Sequence, residues 1–253
     1  MYPVLLKIGS ITIYTYGFLV FIGVLCGYVV CMREAQRQQI NRQVFSDIFF
    51  WTVFIGFIGA RFSYLVIEYK SFFEDPLGLL FNRGGFVFYG GVLSGFLAAF
   101  LLTKKYRIPF LSFLDIMAVG IPLGHAFGRL GCFSYGCCYG RATGSSWGVV
   151  FPLDSPAGYH YPTMKLIPAQ LIEAFFLLAV FAILLIFRKR KRFNGQLFLI
   201  YLISYGFLRF IVEFFRGDLR GELFSLSTSQ IIAIILLLCS FVWWRRWSSG
   251  KHP

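Results

Sequence analysis

Seven apolar runs, each near the length that crosses a bilayer, leave this chain few ways to fold. They cover about 11–32, 47–67, 85–102, 110–131, 167–187, 195–215 and 224–244. A helix needs about 20 predominantly apolar residues to span the hydrocarbon core. The runs are continuous rather than alternating, which argues against a β-barrel. Hydrophobic residues make up 58% of the chain, with 32 phenylalanines, and mean hydropathy is +0.71. That is far above an ordinary soluble domain. The expected fold is an all-α integral membrane protein, a seven-helix transmembrane bundle forming a single domain over 1–253. A loop region on its outer face is expected at about 132–166. The first run is not read as a signal peptide, because it lacks a basic start and a small-residue cleavage site.

The basic residues then orient the bundle. Net charge is +13. Arg33, Arg37 and Arg42 follow the first run, and Lys104, Lys105 and Arg107 follow the third. Arg188 to Arg192 follow the fifth, and Arg245, Arg246 and Lys251 follow the seventh. With seven spans these four groups share one side. The other side mixes Glu68, Lys70, Glu74, Asp75, Asp154, Asp218 and Glu222 with fewer bases. The positive-inside rule puts the N-terminus in the periplasm and the C-terminus in the cytoplasm. The same distribution accounts for the net charge without a nucleic-acid partner, which would need a soluble basic face. Asp47 and Asp115 fall near inner helix starts and read as caps.

Polar residues inside the spans mark where the bundle does chemistry. A charged residue there costs on the order of 2.5–3.5 kcal/mol on insertion scales, so it faces a bundle interior or a wet cavity. Arg61, Arg129 and Arg209 all fall toward outer helix ends, as do Tyr16, Gln170, Glu173 and Gln230. Together the arginines predict a cavity for an anion, with a lipid phosphate as the natural candidate, because the guanidinium fork suits phosphate oxygens. In the sixth run, Tyr205, Arg209, Glu213 and Arg216 share an arc of about 80° on a helical wheel. An Arg209–Glu213 pair at i,i+4 is the simpler alternative.

The stretch from Gly124 to Arg141 breaks the apolar pattern. It carries His125, Arg129, Arg141, and Cys132, Cys137 and Cys138 among repeated glycines. Gly131 and Gly140 are candidates for close backbone approach to a ligand. His125 lies one turn before Arg129. The C-x4-C-C spacing is compatible with a disulfide, with packed free thiols or with a redox dithiol. No metal and no cofactor are expected, since His125, His160 and His252 fall at no recognised ligand spacing. Cys26, Cys31 and Cys239 read as apolar filler.

These residues resemble the prolipoprotein diacylglyceryl transferase family. Tyr205-Gly206-Phe207-Leu208-Arg209-Phe210-Ile211-Val212-Glu213-Phe214-Phe215-Arg216 is similar to its late signature. Gly128-Arg129-Leu130-Gly131, with Phe133 and Gly136, resembles its central G-R-x-G-N-F-x-N-G-E motif. Tyr16-Gly17, Gly59-Ala60-Arg61, Gly90-Gly91, Pro168 to Glu173 and Ser227 to Gln230 match in the family's order.

The resemblance implies transfer of diacylglyceryl from phosphatidylglycerol to the lipobox cysteine of a prolipoprotein signal peptide, releasing glycerol 1-phosphate, in the bacterial inner membrane. It implies catalytic roles for Arg129, Arg209 and Glu213, and headgroup contacts from Tyr16, Arg61, Gly90, Gly91, Gly131, Gly140, Gln170, Tyr205 and Arg216. The chain departs from the pattern at Tyr89, where the family has histidine before Gly-Gly, and at Cys132, Tyr135 and Cys137, where it has Asn, Asn and Glu. Tyr89 can donate a hydrogen bond, but a phenol is a poor base at neutral pH. His125 is the candidate substitute. Two alternatives stand beside the transferase: a membrane thiol oxidoreductase using the three clustered cysteines, and a non-catalytic lipid-binding relative.

Overall fold

The structure is a computed structural model and describes residues 3–9, 11–81, 85–218, 222–223 and 226–248. In chain order the elements are β1 Val4–Ile8, β2 Ile11–Tyr14, α1 Thr15–Arg37, α2 Arg42–Ile67, α3 Tyr69–Glu74, α4 Pro76–Phe81, α5 Phe88–Lys105 and α6 Phe110–Tyr135. There follow β3 Val149–Val150, α7 Pro156–His160, β4 Lys165–Leu166, α8 Ala169–Phe187, α9 Gln196–Glu213, β5 Glu222–Leu223, β6 Leu226–Ser227 and α10 Thr228–Ser248. The strands form three two-stranded antiparallel hairpins, so the all-α expectation becomes a mostly helical chain with short β excursions. The first span starts at Thr15, because β2 takes the beginning of the first apolar run. The expected start of the last run, Phe224, lies outside the described residues, as do Lys251 and His252.

Six described helices are long and apolar enough to cross a membrane: α1, α2, α6, α8, α9 and α10. The run expected as the third span is the 18-residue helix α5, which stands outside that group. Its glycines and its terminal Lys104 and Lys105 dilute its apolar character. Large apolar side chains point outward along the candidate spans, among them Phe62, Phe175, Ile186, Leu238 and Phe241. Such faces suit lipid, where a soluble helix would turn a charged face outward.

The chain divides into two compact units, Met32–Phe113 and Met1–Cys31 with Leu114–Pro253. In the smaller unit, α2 and α5 meet along a seam of small residues. A Cβ at Gly91 would stand 3.0 Å from Gly56 O and 3.1 Å from Ala60 Cβ, and one at Gly90 would stand 3.0 Å from Gly59 O. Ser94 Oγ donates to Gly90 O at 2.8 Å and to Ile55 O at 3.3 Å. Helix pairs in lipid gain their stability from this kind of close backbone packing. Gly90 and Gly91 therefore serve helix contact.

Arg61, in the same unit, is held by backbone carbonyls. Its guanidinium donates to Gly85 O at 2.9 Å, Leu79 O at 2.6 Å and Leu80 O at 2.8 Å, between the rings of Tyr64 and Phe86. It satisfies carbonyls at the end of α4, which would otherwise lack donors. Tyr89 lies at the start of α5, about half exposed, with its ring against Phe88. The cap of α2 is Asn41, whose Oδ1 accepts from Gln43 N and Val44 N, so Asp47 is not the cap.

The larger unit is built around α6. A Cβ at Gly23 of α1 would meet Gly124 O and Phe127 Cβ at 2.8 Å, and Gly27 faces Gly120 O at 3.3 Å. Further along, Ala118, Val119, Val180, Leu184, Leu197 and Tyr201 form a buried cluster, and Ala126, Ala174, Leu177, Leu208 and Val212 form another. Asp115 is fully buried and caps a different helix from its own. Its carboxylate accepts from Gly195 N at 2.8 Å, Phe198 N at 3.0 Å and Lys191 Nζ at 3.3 Å, so it fixes the turn into α9. At the start of α10, Ser227 Oγ accepts from Gln230 N while Gln230 Oε1 accepts from Ser227 N. That reciprocal pair is a capping box, and it accounts for Gln230 at a helix end.

Candidate active site

The site lies in the larger unit, where α6, α8 and α9 bring their polar residues together. Arg129, one turn from the end of α6, donates from Nε to His125 Nε2 at 3.3 Å on its own helix. The same Nε lies 3.0 Å from Glu173 Oε1 in the first turns of α8, a pair held by charge without hydrogen-bond alignment. Both contacts run through Nε, and the terminal Nη edge is the part of the fork that suits a phosphate. The His125 ring packs 5.4 Å from that of Tyr205 on α9, which stacks on Tyr201 at 5.9 Å. Arg209 follows Tyr205 by one turn of α9, so the His125–Tyr205 contact brings the helix faces that carry the two arginines together.

Arg209 and Glu213 form the expected i,i+4 pair, Nη2 to Oε2 at 3.0 Å, and both are nearly buried. Arg209 Nη2 also donates to Ser229 Oγ of α10 at 2.9 Å. Arg216, 5% exposed, grips Asp218 with two hydrogen bonds of 2.7 Å and reaches Glu173 Oε2 at 4.0 Å. Glu173 thus sits between Arg129 and Arg216 with no exposed surface. Three arginines stand against Glu173, Glu213 and Asp218. A buried charge survives only when paired in this way.

The loop after α6 folds back over this cluster. Gly136 takes φ 77° just past the helix end and donates to Cys132 O at 2.9 Å, as Cys137 N does at 3.1 Å. A left-handed glycine at this position is the usual way to stop a helix. Gln170, fully buried at the start of α8, donates from Nε2 to Cys137 O at 2.7 Å, so its amide supports this turn. Gly140 N donates to Ile167 O and Gly217 N to Tyr139 O, and a Cβ at Gly140 would meet Phe215 O at 2.7 Å. Gly140 is needed for backbone crossing, where the chain from α6 passes the chain leaving α9. A Cβ at Gly131 would reach Tyr16 Cδ2 at 3.0 Å, which places α1 against the last turns of α6. Tyr16 itself remains about half exposed.

Cys132, Cys137 and Cys138 meet here, their Sγ atoms within 4.8 Å of one another. The Cys138 thiol is pulled well below its usual value, first by hydrogen bonds from Cys132 and Cys137 and then by the Arg216 guanidinium. Cys137 is pushed up by its hydrogen bond to Cys132 and then by that to Cys138.

Of the residues singled out by sequence, the larger unit brings together Tyr16, His125, Arg129, Gly131, Gly140, Gln170, Tyr205, Arg209, Glu213 and Arg216. Arg61, Tyr89, Gly90 and Gly91 belong to the other unit. Sequence reasoning gave no site role to Glu173, Ser229 or Asp218. The spacing Gln170-x-x-Glu173 on one face of a helix start was the available signal for the first of these.

A family model described as prolipoprotein diacylglyceryl transferase matches residues 3–246. The phosphatidylglycerol–prolipoprotein diacylglyceryl transferase 2 of Clostridium perfringens is 35% identical over 238 residues, 93% of this chain and 91% of that protein. The corresponding transferase of Clostridium tetani is 33% identical over 240 residues, 94% of each chain. That of Finegoldia magna is 32% identical over 239 residues, 93% of this chain and 92% of its own length. Match and motifs agree from end to end, and the chain belongs to the prolipoprotein diacylglyceryl transferase family.

Proposed function

We propose that this protein transfers the diacylglyceryl group of phosphatidylglycerol to the lipobox cysteine thiol of a prolipoprotein signal peptide, releasing glycerol 1-phosphate. The observation that carries this reading is the gathering of Arg129 and Arg209 about His125 and Tyr205, each guanidinium oriented by its own carboxylate. The reaction leaves charge on a departing phosphate. Fixed donors aimed at developing charge are the strongest catalytic device a dry site offers. Arg129 holds the phosphodiester through its terminal edge, and Arg209 stabilises the leaving group. Glu213 orients Arg209, and Glu173 orients Arg129 and Arg216. Tyr16 and Tyr205 donate to the headgroup, with Gly131 allowing α1 to approach. His125 already accepts from Arg129 through Nε2, so we assign it to positioning that arginine rather than to accepting the substrate proton.

The membrane arrangement belongs to the same proposal. Helix α5 is the seventh span, the N-terminus faces the periplasm and the C-terminus the cytoplasm, in a bacterial inner membrane. The charge asymmetry of the loops supports this orientation. Family membership weighs against the oxidoreductase and non-catalytic alternatives.

Proteoliposomes test the reading directly. With phosphatidylglycerol and a lipobox peptide, purified protein is expected to yield a peptide carrying diacylglyceryl in thioether linkage, detected by mass spectrometry. Phosphatidylethanolamine is expected to give none. Folded protein that transfers nothing from phosphatidylglycerol or other anionic lipids would overturn the proposal.

A further inference from the structure

The phosphate chemistry leaves three sulfurs unused. Cys132 lies in the last turn of α6, Gly136 reverses the chain, and Cys138 at φ 62° folds it back, so that the three Sγ atoms gather within 4.8 Å. A non-glycine residue in the left-handed region is strained, and the surroundings must hold it there. Here the Gln170 amide fixes Cys137 O, and the backbone bonds of Gly140 and Gly217 clamp the chain just beyond. A disulfide would use two sulfurs and strand the third. Mutual closeness of all three matches a single thiophilic ion.

Tetrahedral zinc with bonds of about 2.3 Å places its sulfurs about 3.8 Å apart, within small side-chain rotations of this arrangement. Catalytic zinc sites use three protein ligands and keep the fourth position open, whereas structural sites fill it. Among the described residues, no histidine or carboxylate joins the three cysteines to complete a set of four. Three thiolates on Zn2+ leave one negative charge. Arg129, one turn before Cys132, acts electrostatically on Cys132 and Cys138, and Arg216 acts on Cys138, so compensating charge is already in place.

We propose that Cys132, Cys137 and Cys138 hold one Zn2+ ion whose open fourth position takes the acceptor cysteine as its thiolate. The use of the site rests on the transferase reading above; metal binding does not. The acceptor thiol gives its proton to solvent as its sulfur joins the metal. A sulfur electron pair then attacks the glyceryl carbon. The S–C bond forms, the C–O bond to phosphorus breaks, and that bond's electrons leave on the phosphate oxygen beside Arg129. The thioether product is neutral and a weaker zinc ligand than the thiolate, so it departs. No atom changes its oxidation state through an outside reagent. The site thus supplies the thiol activation that His125, engaged by Arg129, is not free to supply.

The test uses the full chain in detergent, stripped of metal under reducing conditions, loaded with Zn2+ and desalted. Mass spectrometry of metals is expected to find about one zinc per chain. Cys137→Ser and Cys138→Ser are each expected to fall at least tenfold, while Cys239→Ser, on α10, keeps the metal. Should a variant misfold, wild-type protein loaded with Co2+ gives an independent reading. It is expected to show sulfur-to-cobalt charge-transfer absorption that a lipobox peptide strengthens and a serine version of the peptide does not. Wild-type protein with reactive thiols that retains no zinc, or that retains only copper, overturns the proposal. So does a cobalt spectrum indifferent to the acceptor thiol. A peptide that binds cobalt but receives no lipid would leave the metal site standing and overturn the transferase reading instead.

Discussion

At the scale of single residues, the site is a set of paired charges whose geometry each partner fixes. On the proposed reading, replacing Arg129 or Arg209 by alanine removes a donor to the leaving phosphate, and a loss of about 10²–10³ in kcat is expected for each. Lysine at Arg129 is expected to recover only part of this, because a point charge cannot replace a two-pronged fork. Glu173→Gln should act differently. It leaves Arg129 and Arg216 with reduced compensation in a buried place, and breaking such pairs costs about 3–5 kcal/mol. A lowered unfolding midpoint in detergent, alongside lost activity, is the expected signature.

The arginines were legible in the sequence because a charge in a span needs a reason. Glu173 was legible only as a motif residue, since its role depends on Arg129 and Arg216 arriving from two other segments. The partners of Arg61 were hidden for the same reason. Its charge is real, but its donors go to Gly85, Leu79 and Leu80, and carbonyls left by a short helix leave no trace in composition.

At the scale of elements, small residues decide which helices meet. Gly23 and Gly27 on α1 lie against Gly124 and Gly120 on α6, and Gly56 and Gly59 on α2 lie against Gly91 and Gly90 on α5. Adding bulk there pushes backbone against backbone. Gly23→Leu and Gly91→Val are each expected to destabilise by at least about 1–3 kcal/mol, the usual cost of overpacking, read as a lower unfolding midpoint. Asp115 illustrates a cap that works at a distance. Asp115→Ala removes the acceptor for Gly195 N and Phe198 N, and unsatisfied buried donors cost about 1–3 kcal/mol each. The apolar runs located nearly every long helix to within a few residues. They could not reveal β1 and β2, which share the apolar character of the span they precede. Nor could they tell that Asp115 serves α9, because that pairing joins residues 80 apart.

At the scale of the whole molecule, the account is a membrane-embedded enzyme whose proposed orientation puts its chemistry toward the periplasm. Reporter fusions test the orientation. A fusion after Ser248 is expected to read as cytoplasmic and one before Thr15 as periplasmic; six spans instead of seven would put the two ends on one side. The number of long apolar helices was legible from composition except at α5, whose glycines pack against α2 at the expense of hydropathy.

The most direct measurement is the rate of diacylglyceryl transfer from phosphatidylglycerol to a lipobox peptide, in matched proteoliposomes of wild type, Arg129→Ala and Arg209→Ala whose folding has been checked. The account predicts transfer by the wild type and a loss of at least about a hundredfold in each variant. Equal rates in all three would contradict it, because the phosphate would then be held by something other than these two arginines.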